Sequence, residues 1–323
     1  MKEKGTNLGY IQITRKCNNN CIMCSNPKID HELTFDEIEK QIIHFHKKGA
    51  NLIYFTGGEP TMSENLPKAL SFCRSLGVGC SIITNGIKLS DKGYCNLLKK
   101  SGLGNVNLSF HSHKTQIHHK ISGKDNLDDI LLGLKNCCNL ICTPAINFVI
   151  NSINYKTLPK TVAFLDENFP EIHHFSINFI DYTGRAIENK SLIPKFSEIE
   201  LYLYRLFTTL KKRGKTFRAE RIPLCYMHGY EEFSTETIRL VLDQGCHALY
   251  LDNSPAGKFE RSLKGRDRID SRKQCKSICP SCSLKNICLG VCEHYLKVYG
   301  FDDIYPVFGK NLEQKIIKRV REL

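Results

Sequence analysis

Six short apolar segments recur through the first 180 residues, at 8–14, 51–56, 79–84, 105–110, 143–150 and 173–179, and their starts lie 26 to 43 residues apart. Each is strand-length, and most are rich in Ile, Val, Phe or Leu. Helical patterns fall between them. Thr34-Phe35-Asp36-Glu37 reads as a capping box ahead of an amphipathic stripe of Ile38, Ile42 and Phe45. Ser90-Asp91 opens a helix towards Leu97-Leu98, and residues 126–138 and 158–165 read as two more. Alternating strands and helices imply an α/β fold with a parallel sheet flanked by helices. A partial (β/α)6 barrel would place a site at the C-terminal ends of its strands. A doubly wound sheet has the same periodicity, and spacing does not separate the two.

The pattern changes after Gly184-Arg185-Ala186. A helix fits 197–211, and the region 221–300 is turn-rich, basic and holds seven of the 16 cysteines. Within it, 249–251 and 258–260 read as a loose hairpin. A last helix carries one apolar stripe, Leu312, Ile316, Val320 and Leu323, suited to packing on the body. The expected organisation is a core barrel over 1–190, a linking helical region over 191–224, and a small Cys-rich domain with the C-terminal helix over 225–323.

Composition narrows the function. No apolar run approaches the roughly 20 residues that span a bilayer. The polar stretch 1–10 lacks the apolar core of a signal peptide, so a cytoplasmic protein without a membrane partner is expected. In that compartment 16 cysteines point to reduced thiols and metal ligation rather than to disulfides.

Cys17-Asn-Asn-Asn-Cys21-Ile-Met-Cys24 directly follows the first strand. Three thiols at C-x3-C-x2-C spacing in a polar loop are hard to explain as packing. A structural zinc site takes four ligands. A cubane iron–sulfur cluster held by three cysteines leaves one iron open. Thr56-Gly57-Gly58-Glu59-Pro60 follows the second strand, and glycines there permit close backbone approach.

With these two motifs in this order, the chain resembles the radical S-adenosylmethionine (SAM) superfamily over roughly residues 8–186. The resemblance implies a [4Fe–4S] cluster on Cys17, Cys21 and Cys24, with SAM on its open iron. It implies that Gly57, Gly58 and Glu59 meet the methionyl amino group of SAM. Thr84 and Asn85 lie in a T-N-G turn, Ser109 ends the fourth strand, and Asn147 and Asn151 lie on or just after the fifth. The resemblance places these beside SAM, its carboxylate or its ribose. Reductive cleavage would give a 5′-deoxyadenosyl radical that removes a substrate hydrogen, while the protein supplies positioning and water exclusion.

The run Cys279-x2-Cys282-x5-Cys288-x3-Cys292 is dense and regular. It is similar to the core of the SPASM and Twitch auxiliary domains, which carry further [4Fe–4S] clusters, although the preceding and following elements of the SPASM pattern are missing. The resemblance implies one auxiliary cluster, with two left open and a zinc ribbon as the rival. The expected ligands are Cys225, Cys279, Cys282 and Cys288, and Cys246, Cys275 and Cys292 are alternates. Cys73, Cys80, Cys95, Cys137, Cys138 and Cys142 read as small core hydrophobes. His111, His113, His118 and His119 cluster after the fourth strand, and Asp181, Tyr182 and Arg185 end the sixth, with Arg185 a candidate for binding a carboxylate or phosphate.

The net charge of +13 and the basic stretch 261–276 suit an acidic electron donor such as flavodoxin or ferredoxin. RNA fits worst, because only Phe259 borders that stretch for stacking. The expected substrate is a peptide or protein side chain. The alternative is a small molecule acted on by a dehydrogenase or cyclase, and a further rival is a non-catalytic iron–sulfur carrier or sensor.

Overall fold

The computed structural model describes residues 8–26, 31–181, 183–242, 246–251, 258–263 and 272–323, of which 246–251, 258–263 and 272 are described as backbone only. Among these residues, nine strands form one sheet: β1 (Leu8–Thr14), β2 (Leu52–Gly57), β3 (Gly79–Thr84), β4 (Asn105–Ser109), β5 (Ala145–Ile150), β6 (His174–Phe179), β7 (Thr216–Glu220), β8 (Cys246–Leu251) and β9 (Lys258–Leu263). Among the described residues, ten α-helices accompany them: α1 (Phe35–Lys47), α2 (Leu66–Ser75), α3 (Lys92–Ser101), α4 (Thr115–Ser122), α5 (Leu127–Leu140), α6 (Leu158–Asn168), α7 (Phe196–Lys212), α8 (Thr235–Leu242), α9 (Glu293–Tyr299) and α10 (Leu312–Arg321).

The strand order is β7-β6-β5-β4-β3-β2-β1-β8-β9. From β1 to β7 the strands follow chain order, and every neighbouring pair is parallel. A doubly wound sheet would reverse direction part-way. Right-handed crossovers that always advance the same way keep their helices on one face, and that is barrel winding. The six expected βα units are therefore present in an α/β, barrel-like fold.

Two strands exceed the expectation. β7, within 191–224, extends the sheet beyond β6. The loose hairpin is a regular antiparallel pair, Cys246↔Leu263 to Leu251↔Lys258, and β8 runs parallel to β1. The Cys-rich region thus also supplies strands to the barrel sheet. A segment such as Thr-Phe-Arg-Ala-Glu has too few β-branched residues to announce a strand, and pairing with β6 decides it.

Several local signals act as read. Thr34 and Glu37 cap α1 reciprocally, and Ile38, Ile42 and Phe45 form its buried face. Asp91 caps α3 by accepting from the Gly93 and Tyr94 amides. Along the strands burial alternates with period two. Ile53 and Phe55, Ile146 and Phe148, and Phe217 and Ala219 face the helices and are buried. Tyr54, Thr56, Asn147, Val149, Arg218 and Glu220 face a cavity on the other side.

The C-terminal part docks through aromatics. Phe196, Tyr226 and Tyr295 cluster with Phe179 of β6. The Tyr295 hydroxyl accepts from the Phe196 amide at 2.9 Å and donates to Asp303 at 2.6 Å. α10 buries Ile316 and Val320, and Arg319 pairs with Glu231 and Glu232. Among the described residues, no helix is long and apolar enough to cross a membrane.

Phe207 of α7 stacks on Phe217 of β7 with ring centroids 5.1 Å apart, and both are buried. Phe207→Ala should cost about 3–5 kcal/mol of stability, measured by denaturant unfolding.

Candidate active site

The sequence-predicted residues converge. Cys17, Cys21, Cys24, Gly57, Gly58, Glu59, Thr84, Asn85, Ser109 and Asn147 all line one cavity of about 580 Å³. It lies on the polar face of the sheet. Asn151 stands behind it, buried, donating to the Met23 sulfur and the Val149 carbonyl.

The Cys17–Cys24 loop is held from several sides. Its Asn20 and Ile22 amides donate to the Ser122 and Ile121 carbonyls at 2.8 and 3.0 Å. Asn85 donates to Asn18, and Asn126 donates to Asn19, each at 2.7 Å. Arg185 does not wait for an anionic ligand. Its Nη1 donates to the carbonyls of Asn20 and Cys21 at 2.8 Å, and its own amide donates to the Cys24 carbonyl. The expected anion binder is therefore a brace of the cysteine loop.

The glycine turn is fixed against the same loop. The Gly58 amide donates to Thr14, and the Glu59 amide donates to Lys16, each at 2.7 Å. A Cβ on Gly57, whose φ is +129°, would lie 2.2 Å from the Thr14 carbonyl oxygen; on Gly58 it would lie 2.3 Å from that of Lys16. These glycines are demanded by chain-to-chain approach, whatever ligand they also face.

Glu59 is buried. Its carboxylate accepts from the Thr61 amide and hydroxyl at 3.1 and 2.7 Å, from the Thr84 hydroxyl at 2.7 Å, and from the Asn85 amide at 2.7 Å. Burial raises its pKa against the pull of those donors. Thr84 and Asn85 are thus tied to Glu59 and to the cysteine loop, and the ends of β2 and β3 are locked together.

Sequence reading missed Asn26. Its Nδ2 donates to the Gly57 carbonyl at 2.7 Å, and its Oδ1 accepts from Arg15 at 2.6 Å and Gln12 at 3.2 Å. A lone Asn beyond the third cysteine carries no local signal for that bridge. Also missed were the stacked pair Tyr10–Tyr54, centroids 4.9 Å apart, and the residues Arg218, Glu220, Arg221 and Arg239 that join Asp181 in one charged wall. Arg221 has φ 65° and reaches Asp181 at 3.2 Å and Glu220 at 4.0 Å.

Of the four histidines, only His111 and His118 line the cavity. His113 bonds Thr161 and stacks on Phe164, and His119 pairs with exposed Asp125. Tyr182 lies outside the described residues.

The second cysteine group also converges. Cys225, Cys279, Cys282 and Cys288 line one small cavity with Cys275. Backbone amides point at three of these sulfurs: Cys275 N to Cys279 at 3.2 Å, Leu284 N and Val307 N to Cys282 at 3.4 Å, and Gly290 N to Cys288 at 3.3 Å. Cys292, the last cysteine of the regular run, does not line that cavity and instead sits 3.9 Å from His294. The Cys246 side chain and most of the basic stretch 261–276 lie outside the described residues. Cys73, Cys80, Cys95 and Cys137 are buried, and Cys138 and Cys142 are half-buried beside the core.

Residues 11–165 match the family model described as Radical SAM superfamily. The chain carries a Radical SAM domain. It is similar to the Fe-coproporphyrin III synthase of Methanosarcina barkeri, at 31% identity over 64% of this chain and 53% of that one. It is also 31% identical to a probable GTP 3′,8-cyclase of Thermococcus kodakarensis, over 45% of this chain and 48% of that one. The chain thus spans about half the length of these curated relatives. In fold it is similar to Streptococcus suis SuiB bound to S-adenosylmethionine (TM-score 0.66, 17% identity, 95% of this chain and 77% of that one). SuiB bound to its precursor peptide SuiA gives a TM-score of 0.64 at 17% identity, over 92% of this chain and 73% of that one.

A Radical SAM domain implies a [4Fe–4S] cluster and SAM, and the donor set at Cys17, Cys21 and Cys24 fits such a cluster. Burial, then the neighbouring Cys24 and Cys17, push the Cys21 thiol up to about 12, with Arg185 opposing. Among the described residues no three His, Cys, Asp or Glu converge as a single metal ion requires. A cubane places its ligands on separate irons and asks for a wider spread.

His111 is buried against the cavity, and burial, with His118 adding to it, lowers its pKa to about 4. A group held below its unfolded value near 6.5 stabilises the fold above that value and loses the contribution as pH falls towards 4. Between pH 7 and 5 the wild type should lose about 2 kcal/mol that His111→Gln does not, read from denaturant midpoints at each pH.

Proposed function

We propose that this chain cleaves SAM reductively at a [4Fe–4S] cluster on Cys17, Cys21 and Cys24, and that the resulting 5′-deoxyadenosyl radical removes hydrogen from a peptide or protein side chain. The observation that carries the reaction class is the convergence of the three cysteines, the glycine turn and the ends of β3, β4 and β5 on one cavity. Gly57, Gly58, Glu59, Thr84, Asn85, Ser109 and Asn147 would line the SAM position. Glu59 holds the turn and Arg185 holds the cysteine loop. A peptide substrate is supported by the likeness in fold to SuiB with its precursor peptide.

An auxiliary [4Fe–4S] cluster on Cys225, Cys279, Cys282 and Cys288 belongs to this reading, and the four amide-to-sulfur contacts support it. An acidic flavodoxin or ferredoxin would suit a chain of net charge +13. A small-molecule substrate is the second reading, favoured by the curated relatives named for cyclase and porphyrin chemistry.

Anaerobically reconstituted protein given SAM and a strong reductant should form 5′-deoxyadenosine, and Cys17→Ala, Cys21→Ala and Cys24→Ala should each abolish it. No product from a wild type with confirmed iron and sulfide would sink the cleavage claim. Iron analysis tests the second site. Cys279→Ser, Cys282→Ser and Cys288→Ser should each remove about four irons per chain, the content of one cubane. Cys292→Ser should leave iron content at the wild-type value, and a loss there would put Cys292 among the ligands.

A further inference from the structure

We propose that Arg218 and Arg239 form the recognition site for an oxyanion of the substrate, a carboxylate or a phosphate. The inference rests on the reading that this cavity holds the substrate. Four strands, β3 to β6, stand between β7, which carries Arg218, and β2 with its glycine turn.

Strand register places Arg218. It lies opposite Ser176 of β6, between Phe217 and Ala219, which are buried on the helical side. Its side chain therefore lines the cavity, as does that of Arg239 from α8. The carboxylates of the same wall are taken. Asp181 and Glu220 face Arg221, and Glu236 accepts from the Arg221 amide at 2.9 Å. Among the described residues, the side chains of Arg218 and Arg239 have no ion-pair or hydrogen-bond partner. Burial lowers the pKa of Arg218, with no acid opposing it.

A partly desolvated guanidinium without a counter-charge is unfavourable. An arriving oxyanion removes that penalty, and the planar guanidinium fork fits carboxylate and phosphate through paired hydrogen bonds. A neutral, apolar substrate would leave both arginines unmatched.

The test is calorimetric binding of inorganic pyrophosphate, N-acetylglutamate and SAM to the anaerobically reconstituted full-length protein at fixed ionic strength. At least one oxyanion probe should bind the wild type, and Arg218→Gln and Arg239→Gln should each weaken it about tenfold or more. Arg218→Lys should give an intermediate value, which separates lost recognition from lost folding. Tighter binding of pyrophosphate or of N-acetylglutamate identifies the phosphate or carboxylate source, and either supports the site. Absence of binding to the wild type, or equal binding in the glutamine variants, would overturn the proposal. A matching loss of SAM affinity would overturn it too, because the arginines would then serve SAM. Binding needs no turnover. A protein that binds probes through these arginines yet never cleaves SAM would refute the proposed reaction and leave this site standing.

Discussion

The contact on which the site depends is the approach of the Gly57–Gly58 turn to the backbone leaving β1. Two 2.7 Å hydrogen bonds, from Gly58 to Thr14 and from Glu59 to Lys16, join the turn to the segment entering the cysteine loop. No side chain fits between them, since any Cβ would overlap a carbonyl oxygen. From this contact the order of the cavity mouth follows. Glu59 is carried inward, where four donors from Thr61, Thr84 and Asn85 hold its carboxylate. Asn85 then reaches Asn18, which returns the network to the cysteine loop.

The sheet supplies the rest by its period of two. One face is hydrophobic and carries the helices, and the other is lined by Tyr, Asn, Ser and Arg. A barrel-wound sheet has all its helices outside, so this polar face encloses space instead of packing on a second layer. That makes room for a cofactor and a substrate side by side, with the cysteine loop on one wall and the arginines of β7 and α8 on another.

The second cysteine group is built differently. Its sulfurs come from a helical turn at 224–226 and a segment some fifty residues later, brought together while an aromatic cluster seats the region on the barrel. Backbone amides point at the Cys279, Cys282 and Cys288 sulfurs, while burial raises the pKa of the Cys279 and Cys288 thiols against the pull of those amides. The same packing leaves Cys292 on the short strand before α9, outside the group, although its spacing continues the run.

What the sequence by itself determined is whatever rests on neighbours in the chain. The period-two strands, the Thr34–Glu37 cap, the C-x3-C-x2-C loop and the glycine turn are short-range patterns, and local sterics and hydrogen bonding make them legible. Tertiary structure decided the matters that depend on pairing between distant segments. It chose barrel winding over the doubly wound alternative through strand order, and it recruited β7 and β8 into the sheet. It turned Arg185 from a ligand binder into a brace and brought Asn26 to Gly57, 31 residues away. It set Arg218 and Arg239 on one wall with their neighbouring acids already engaged. The physical reason is that a side chain's partners are fixed by which backbones lie within hydrogen-bond reach, and spacing along the chain does not encode that distance.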